Sequence, residues 1–198
     1  MAITNGYTTL DDLKAHLGLP GEDVADDSRL EALIEDVSRW FDKETGRRFY
    51  TTDVDETHYY TASRSHTLLL PDDLLSVTTL ATDDGSRTYS TVWAATDYDL
   101  EPVNELPYWE IRRAPNGSYS FPVGVARGVK IVGKFGYCTL ANRPRDIGRA
   151  VLIRCGQLWA LGPAPFNEVG GAGAKSNAPA AWPVVKDTIE QYRVWRVG

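Results

Sequence analysis

The chain has 198 residues, of which 42% are hydrophobic and 24% charged, enough for one domain, or one domain with a substantial projection, around a real core. Its formal net charge of -6 conceals a division, since residues 1–110 carry 23 acidic and 8 basic side chains whereas residues 111–198 carry 4 and 13. Two cysteines exclude a disulfide-dense framework and favour a reducing assembly environment, and no run approaches the roughly 18 apolar residues of a spanning helix.

The first element is a short helix over residues 8–17. Thr8 or Thr9 can cap it, Leu10, Leu13 and Leu17 mark one face, and Gly18 with Pro20 ends it. The N-terminal residues before it lack a basic segment followed by an apolar one, so no signal peptide is expected. The clearest long signal follows over residues 28–45. Leu30, Leu33, Ile34, Val37, Trp40 and Phe41 recur at the spacing of one helical face, and that face needs partners. Ser28 and Glu31 offer a capping box, Glu35 and Arg39 an i,i+4 pair, and Gly46 a left-handed stop.

Beyond Phe49 the helical period disappears. Short runs rich in Thr, Val, Leu and Tyr over residues 55–137 are bounded by Pro, Asp and Gly and predict strands. SHTLLLPDD and LLSVTTLATDDG read as separate strands, Asp83-Asp84-Gly85 as a tight turn, and Asn116-Gly117 as a hairpin joining YWEIRRA to SYSFP. Without room for a crossover helix the pairing should be mostly antiparallel. Residues 144–160 return to helical spacing through Ile147, Ala150, Val151, Leu158 and Trp159, with Pro144 at the start. Residues 161–181, rich in Gly, Ala and Pro, predict a flexible loop. A last helix is expected from Trp182, with Val185, Thr188, Ile189 and Tyr192 on one face.

Chemistry-bearing patterns are weak. GGAGAKS at 170–176 ends like a phosphate loop in Lys175-Ser176, but Val169 and Ala174 stand where glycines are required. His16, His58 and His66 have no metal-type spacing, and Cys155 in a helical setting reads as a small buried hydrophobe. The acidic pairs Asp11-Asp12, Asp26-Asp27, Asp72-Asp73 and Asp83-Asp84 suit caps and turns. Arg112, Arg113, Arg127, Lys130, Lys134, Arg143, Arg145, Arg149 and Arg154 could approach phosphates, although no nucleic-acid-binding signature accompanies them. No catalytic, metal or cofactor-binding residue is predicted, and no cofactor. The expected fold class is α+β: about four helices in a bundle with a central, mostly antiparallel β-rich insertion.

YTTLDDLKAHLGLP, DDSRLEALIEDVSRWFDKETGRRF, LLLPDDLLSVTTL, TDYDLEP, VKIVGKFGY and PRDIGRAVLIRCGQLW, in this order, resemble the head-tail connector (adaptor, or head-completion) proteins of tailed bacteriophages. The resemblance runs from Tyr7 to Trp159. Its residue-level features are Tyr7, Leu10, Asp27, Leu30, Ile34, Gly46, Arg47, Phe49, Gly133, Phe135, Gly136 and Tyr137, all structural. It implies an adaptor domain over residues 1–160, a flexible loop over 161–181 and a docking helix over 182–198.

What the resemblance further implies is a noncatalytic virion subunit in the neck, assembled in the host cytoplasm. It would form a homo-oligomeric, dodecameric ring beneath the portal protein, extend the DNA channel with only nonspecific contact to genomic DNA, and support a stopper or tail-side connector, with no membrane partner. Trp182, Tyr192, Arg193, Trp195 and Arg196 are the candidate partner-binding residues, because aromatic and Arg side chains dominate contact energy. Glu31, Glu35, Asp36, Arg145 and Arg149 are the candidate subunit interface, where opposite charges of neighbouring copies would meet. The charge division also fits one half of the chain folding back on the other. The rival expectations are a small enzyme with a carboxylate-based site and a DNA-binding accessory protein.

Overall fold

A computed structural model describes residues 3–161 and 182–194. The fold is α+β, and the chain divides into a helical unit, residues 1–46 with 140–195, and a sheet unit, Arg47–Thr139, inserted in the sequence between the second and third helices.

The helical unit contains α1 (Leu10–Leu17), α2 (Asp27–Thr45), α3 (Arg145–Ala160) and α4 (Trp182–Tyr192), with a 3-10 turn at Leu140–Asn142. Thr9 caps α1 by accepting the Asp12 amide at 3.1 Å, and Gly18 closes it at φ 69°. Gly46 ends α2 in the same left-handed conformation at φ 70°, which glycine adopts without steric cost. The Ser28–Glu31 capping box is a correction. The chain turns earlier, with the Asp27 amide donating to the Val24 carbonyl, so Asp26 is the cap residue and Ser28 already lies inside the helix.

The α2 face behaves as its period predicts. Leu30, Ile34, Val37 and Phe41 are buried, and Leu33 and Trp40 border them. This face packs against α1, α3 and α4. From α3 come Ile147, Ala150, Val151 and Cys155, and from α4 Val185 and Ile189. Close approach of α1 and α3 depends on Gly156, where a Cβ would stand 2.9 Å from His16 Nε2.

The sheet unit holds β1 (Glu56–Tyr60), β2 (Thr67–Thr82), β3 (Thr91–Trp93), β4 (Tyr98–Glu101), β5 (Tyr108–Arg113) and β6 (Val129–Phe135). All named strand pairs are antiparallel, in the order β1-β6-β2-β5-β4, with β3 also on β2. Three details correct the sequence reading. The two Leu-rich runs form one long strand, because Pro71-Asp72-Asp73 makes an irregularity rather than a break, and β2 passes there from β5 to β6 as its main partner. A proline without an N–H is tolerated at such a bulge. The 83–85 turn belongs to a longer loop, residues 83–90, before β3. Asn116-Gly117 makes a turn, with the Gly117 amide on the Ala114 carbonyl, but no strand follows. Instead Phe121 enters the core, its amide held by Ser65 O, and its ring stacks on Trp93 at 4.7 Å.

Candidate functional surfaces

In the helical unit, Tyr7 is the clasp. Its ring is buried, its amide donates to Ser38 Oγ (3.0 Å), and its hydroxyl donates to Asp42 Oδ1 (2.5 Å). The Arg39 and Arg143 guanidinium groups lie over the ring at 5.3 and 5.5 Å, a favourable arrangement of cation and π-face. α2 and α3 exchange similar contacts in the antiparallel sense: Arg29 of α2 lies over Trp159 of α3 at 4.5 Å, and Arg154 of α3 over Trp40 of α2 at 5.3 Å. Lys14 is buried, donating to the carbonyls of Gly21 (3.2 Å) and Asp23 (2.7 Å) and pairing with Asp27 at 2.5 Å.

The candidate subunit-interface residues separate. Asp36, Arg145 and Arg149 are exposed, whereas Glu31 and Glu35 are half-buried. Glu35 holds the N-terminal segment by accepting the amides of Thr4 and Asn5, and Arg39 donates to Asn5 O and pairs with Asp42 at 3.1 Å. Of the candidate partner-binding residues, Tyr192 donates to the Asp146 carboxylate at 3.0 Å, and Arg193 reaches the Glu44 carbonyl (3.0 Å) and the Glu190 carboxylate (3.0 Å). Both therefore fasten α4 to the rest of the helical unit. The Trp182 side chain, Trp195, Arg196 and the 162–181 stretch with Lys175-Ser176 lie outside the described residues.

In the sheet unit the residues of the two glycine-containing signatures converge. Arg47 pairs with Asp73 at 2.6 Å and lies over the Tyr137 ring at 5.1 Å. Arg48 pairs with Glu56 (2.5 Å) and donates to the Phe135 carbonyl (2.7 Å), while its own carbonyl accepts the Tyr137 amide (2.7 Å). Phe49 is buried against Tyr137, with ring centroids 5.3 Å apart. Gly136 sits at φ 133°, and any Cβ there would collide with the Tyr50 carbonyl oxygen. The sequence order of these residues is far apart; their meeting is a product of the β1-β6 pairing.

Beside them Glu56, His58, Tyr60 and Asp72 form a polar cluster on the core side of the sheet. The His58 ring stacks on Phe135 at 3.8 Å and its nitrogens stand 3.1 Å from Asp72 and 3.3 Å from Glu56, while Tyr60 donates to Asp72 at 2.9 Å. Burial raises the Tyr60 pKa, aided by the Asp72 charge and hydrogen bond. Burial likewise raises Asp73, against the opposing effect of Arg47. For Glu56 burial works upward, but Arg48, Thr52 and His58 together hold it below the ordinary value. The cluster is tied to the strand framework by charged hydrogen bonds on every side, which is the arrangement of a structural network.

Cys155 is buried, and burial pushes its thiol up to about 12; a thiol so disfavoured as thiolate is inert as a nucleophile at neutral pH. Among the described residues no group of three or more His, Cys, Asp or Glu side chains is arranged to hold a metal ion, and no helix is long and apolar enough to cross a membrane.

Residues 7–77 match the family model described as phage gp6-like head-tail connector protein. The resemblance is to phage head-tail connectors. The match begins at the Tyr7 clasp, takes in α1, α2 and the Gly46-Arg47-Arg48-Phe49 exit, and ends within β2. Solved structures extend the likeness of fold over the full chain. A chain of the neck of an empty gene transfer agent particle, computed with C6 symmetry, has a TM-score of 0.62 at 20% identity, covering 100% of this chain and 95% of its own. Chains from the virion of the native particle and from its neck computed with C12 symmetry give TM-scores of 0.58 and 0.56, each at 20% identity and 100% coverage of this chain, with 95% and 94% of their own. No curated protein matches the chain.

The nine basic residues weighed as phosphate contacts are divided between the two units. Arg143, Arg145, Arg149 and Arg154 belong to the helical unit and the other five to the sheet unit. Lys134 is engaged with Asp55 at 3.3 Å and with the Thr52 and Asp53 carbonyls, and Arg112 with Glu110 at 2.8 Å. Sequence reasoning missed Lys14 and the Asp83 loop. A lysine among helix-capping acids carries no periodic signal, and a carboxylate that organises its own loop looks like any turn Asp.

Proposed function

We propose that this chain is a noncatalytic structural subunit of the neck of a tailed bacteriophage or related particle, the region joining head to tail. The observation that carries the reading is the head-tail connector family match over residues 7–77; the likeness of the whole fold to chains of gene transfer agent necks supports it. In this reading copies assemble head to tail into a homo-oligomeric ring below the portal protein. The ring extends the DNA channel and offers its far side to a stopper or tail-side component. Heterologous contacts of this kind close into a ring when the rotation between copies closes. The subunit acts in the virion neck and assembles in the host cytoplasm. The polar network around His58 and Asp72 and the buried Cys155 then serve folding rather than chemistry.

Co-expression with the portal protein of the same genome, followed by mass measurement in moderate salt, tests the reading. A complex containing several copies of the chain on an intact portal is expected. A chain that stays separate from an intact portal would refute it.

A further inference from the structure

Two surfaces of the sheet unit are complementary and stand at opposite edges of its strand order. The first is the β4-β5 hairpin tip. Residues 97–110 contain five carboxylates and no Lys or Arg, and Val103, Leu106 and Trp109 are each more than half exposed. Asp99, Glu101 and Glu105 make no ion pair among the described residues. Arg112 on β5 interacts with Glu110, Glu101 and Asp99, and carboxylates still outnumber cations around these apolar residues, a surface that suits an apolar partner rimmed by cations.

The second surface lies on the β1 side. Tyr59, Lys130, Ala81 and Val92 are register partners in one row across β1, β6, β2 and β3, so their side chains share the outer face. Tyr59 and Val92 are exposed. The loop 83–90 adds Tyr89, whose ring lies 5.4 Å from that of Tyr59 and whose hydroxyl donates to the Arg127 carbonyl (2.7 Å). Arg127 lies over the Tyr59 ring at 5.7 Å and Lys130 over the Tyr89 ring at 5.8 Å, and neither cation has a carboxylate partner among the described residues. The nearby Asp83 makes no ion pair with either cation, and its oxygens accept the amides of Gly85, Arg87, Thr88 and Tyr89.

We infer that the acidic hairpin tip of one copy docks on the Tyr59-Tyr89-Arg127-Lys130 face of the next copy. Within one chain Tyr59 and Lys130 lie on β1 and β6, with β2 and β5 between them and β4 in the hydrogen-bonded order. A second copy supplies each surface with the opposite charge and with apolar area, whereas nucleic acid would leave the Val103-Leu106-Trp109 tip uncovered and would meet a chain of net charge -6. The inference rests on the neck reading only for the ring in which such contacts would repeat.

Charge exchange in the full chain tests it. E101K/E105K makes the tip basic and R127E/K130E makes the face acidic; all four sites are at the surface, and circular dichroism of each variant checks folding. Sedimentation velocity should show each variant self-associating about a hundredfold more weakly than wild type, and an equimolar mixture of the two should associate again, because each reversed surface then finds its complement. Carbodiimide coupling of the wild type should join Lys130 of one copy to Glu101 or Glu105 of another, a readout independent of the variants. Unchanged association of both variants, a mixture that stays dissociated, or a wild type that remains monomeric at every concentration overturns the contact. Portal binding that persists in those cases would leave the neck reading standing. Binding of a fluorescent DNA duplex that R127E/K130E abolishes, with self-association untouched, would assign the face to nucleic acid instead.

Discussion

Replacing Lys14 by methionine should destabilise the helical unit more than any other charged-to-apolar change in the first two helices. Lys14 is a charged side chain only 4% exposed, and its ammonium satisfies the Gly21 and Asp23 carbonyls and the Asp27 carboxylate at once. Methionine keeps the volume of the stem and removes only the charge and the three donors. Breaking a buried ion pair costs roughly 3–5 kcal/mol when the surviving partner stays buried. The Asp27 side chain retains 26% exposure although its paired oxygen Oδ1 is buried, and the expected loss is about 2–3 kcal/mol. The assay is denaturant unfolding followed by helical circular dichroism, with K14M, D27A and the double variant compared in one cycle. If the pair is the source, the double variant should lose less than the sum of the singles by about 1 kcal/mol or more. A K14M loss below about 0.5 kcal/mol, or strict additivity, would refute the assignment of Lys14 as the bolt between α1 and α2.

The other predictions concern single contacts. Gly136→Ala should cost about 3 kcal/mol or more, because it combines a collision with the Tyr50 carbonyl and a backbone at φ 133°; loss of soluble protein or a lowered melting temperature would show it, and wild-type stability would contradict it. For Asp83, burial works to raise the pKa, but the amides of Arg87, Gly85 and Tyr89 and the Ser86 hydroxyl outweigh it and hold the carboxyl below its ordinary value. A depressed folded-state pKa means the loop's stabilisation is fully present above the unfolded value of about 3.9 and is lost as pH falls below it. The protection of the residue 85–89 amides relative to their intrinsic exchange rates should therefore fall on acidification below about pH 4 in wild type, and D83N should remove that dependence. Tyr192→Phe removes the hydrogen bond to Asp146, so backbone amides of α4 should exchange several-fold faster while those of α2 stay unchanged; equal rates in both proteins would show that this hydrogen bond does not hold the helix.

The helices were legible because their signals are local. A 3.6-residue apolar period, a threonine cap and two glycine stops each act within a few residues, and α2 therefore runs to within a residue of its expected start. Strand runs were legible for the same reason, but their joints were not. Pro71-Asp72-Asp73 contains every residue that normally ends a strand, yet β2 continues, because the sheet supplies β5 on one side and β6 on the other and the bulge costs less than a break. Asn116-Gly117 failed in the opposite way. The turn forms, but Phe121 gains more from stacking on Trp93 in the core than SYSFP would gain as an exposed edge strand. The roles of Arg47 and Gly136 depend on residues brought together from distant parts of the sequence, and that of Lys14 on how the α1-α2 connection folds back over it, and no spacing rule reaches them.

The division of charge along the chain takes a different meaning once the units are known. Its boundary at residue 110 does not separate two folded bodies; it falls inside the sheet unit, at the end of the β4-β5 tip. In the helical unit basic α3 packs against α2 of the acidic first 46 residues. In the sheet unit the same imbalance is left open. Residues 97–110 are acidic without a cation, and residues 111–134 contain five cations and no carboxylate. Antiparallel pairing of β4 with β5 brings Arg112 close to Asp99, but Glu101 stays on β4 and Lys130 on β6, with β2 and β5 between those strands. Charges of opposite sign held apart by a rigid sheet cannot neutralise each other inside one molecule. They can do so only between molecules, and a contact from one edge to the other repeats in a single direction, which is the polarity a closed ring of identical copies requires.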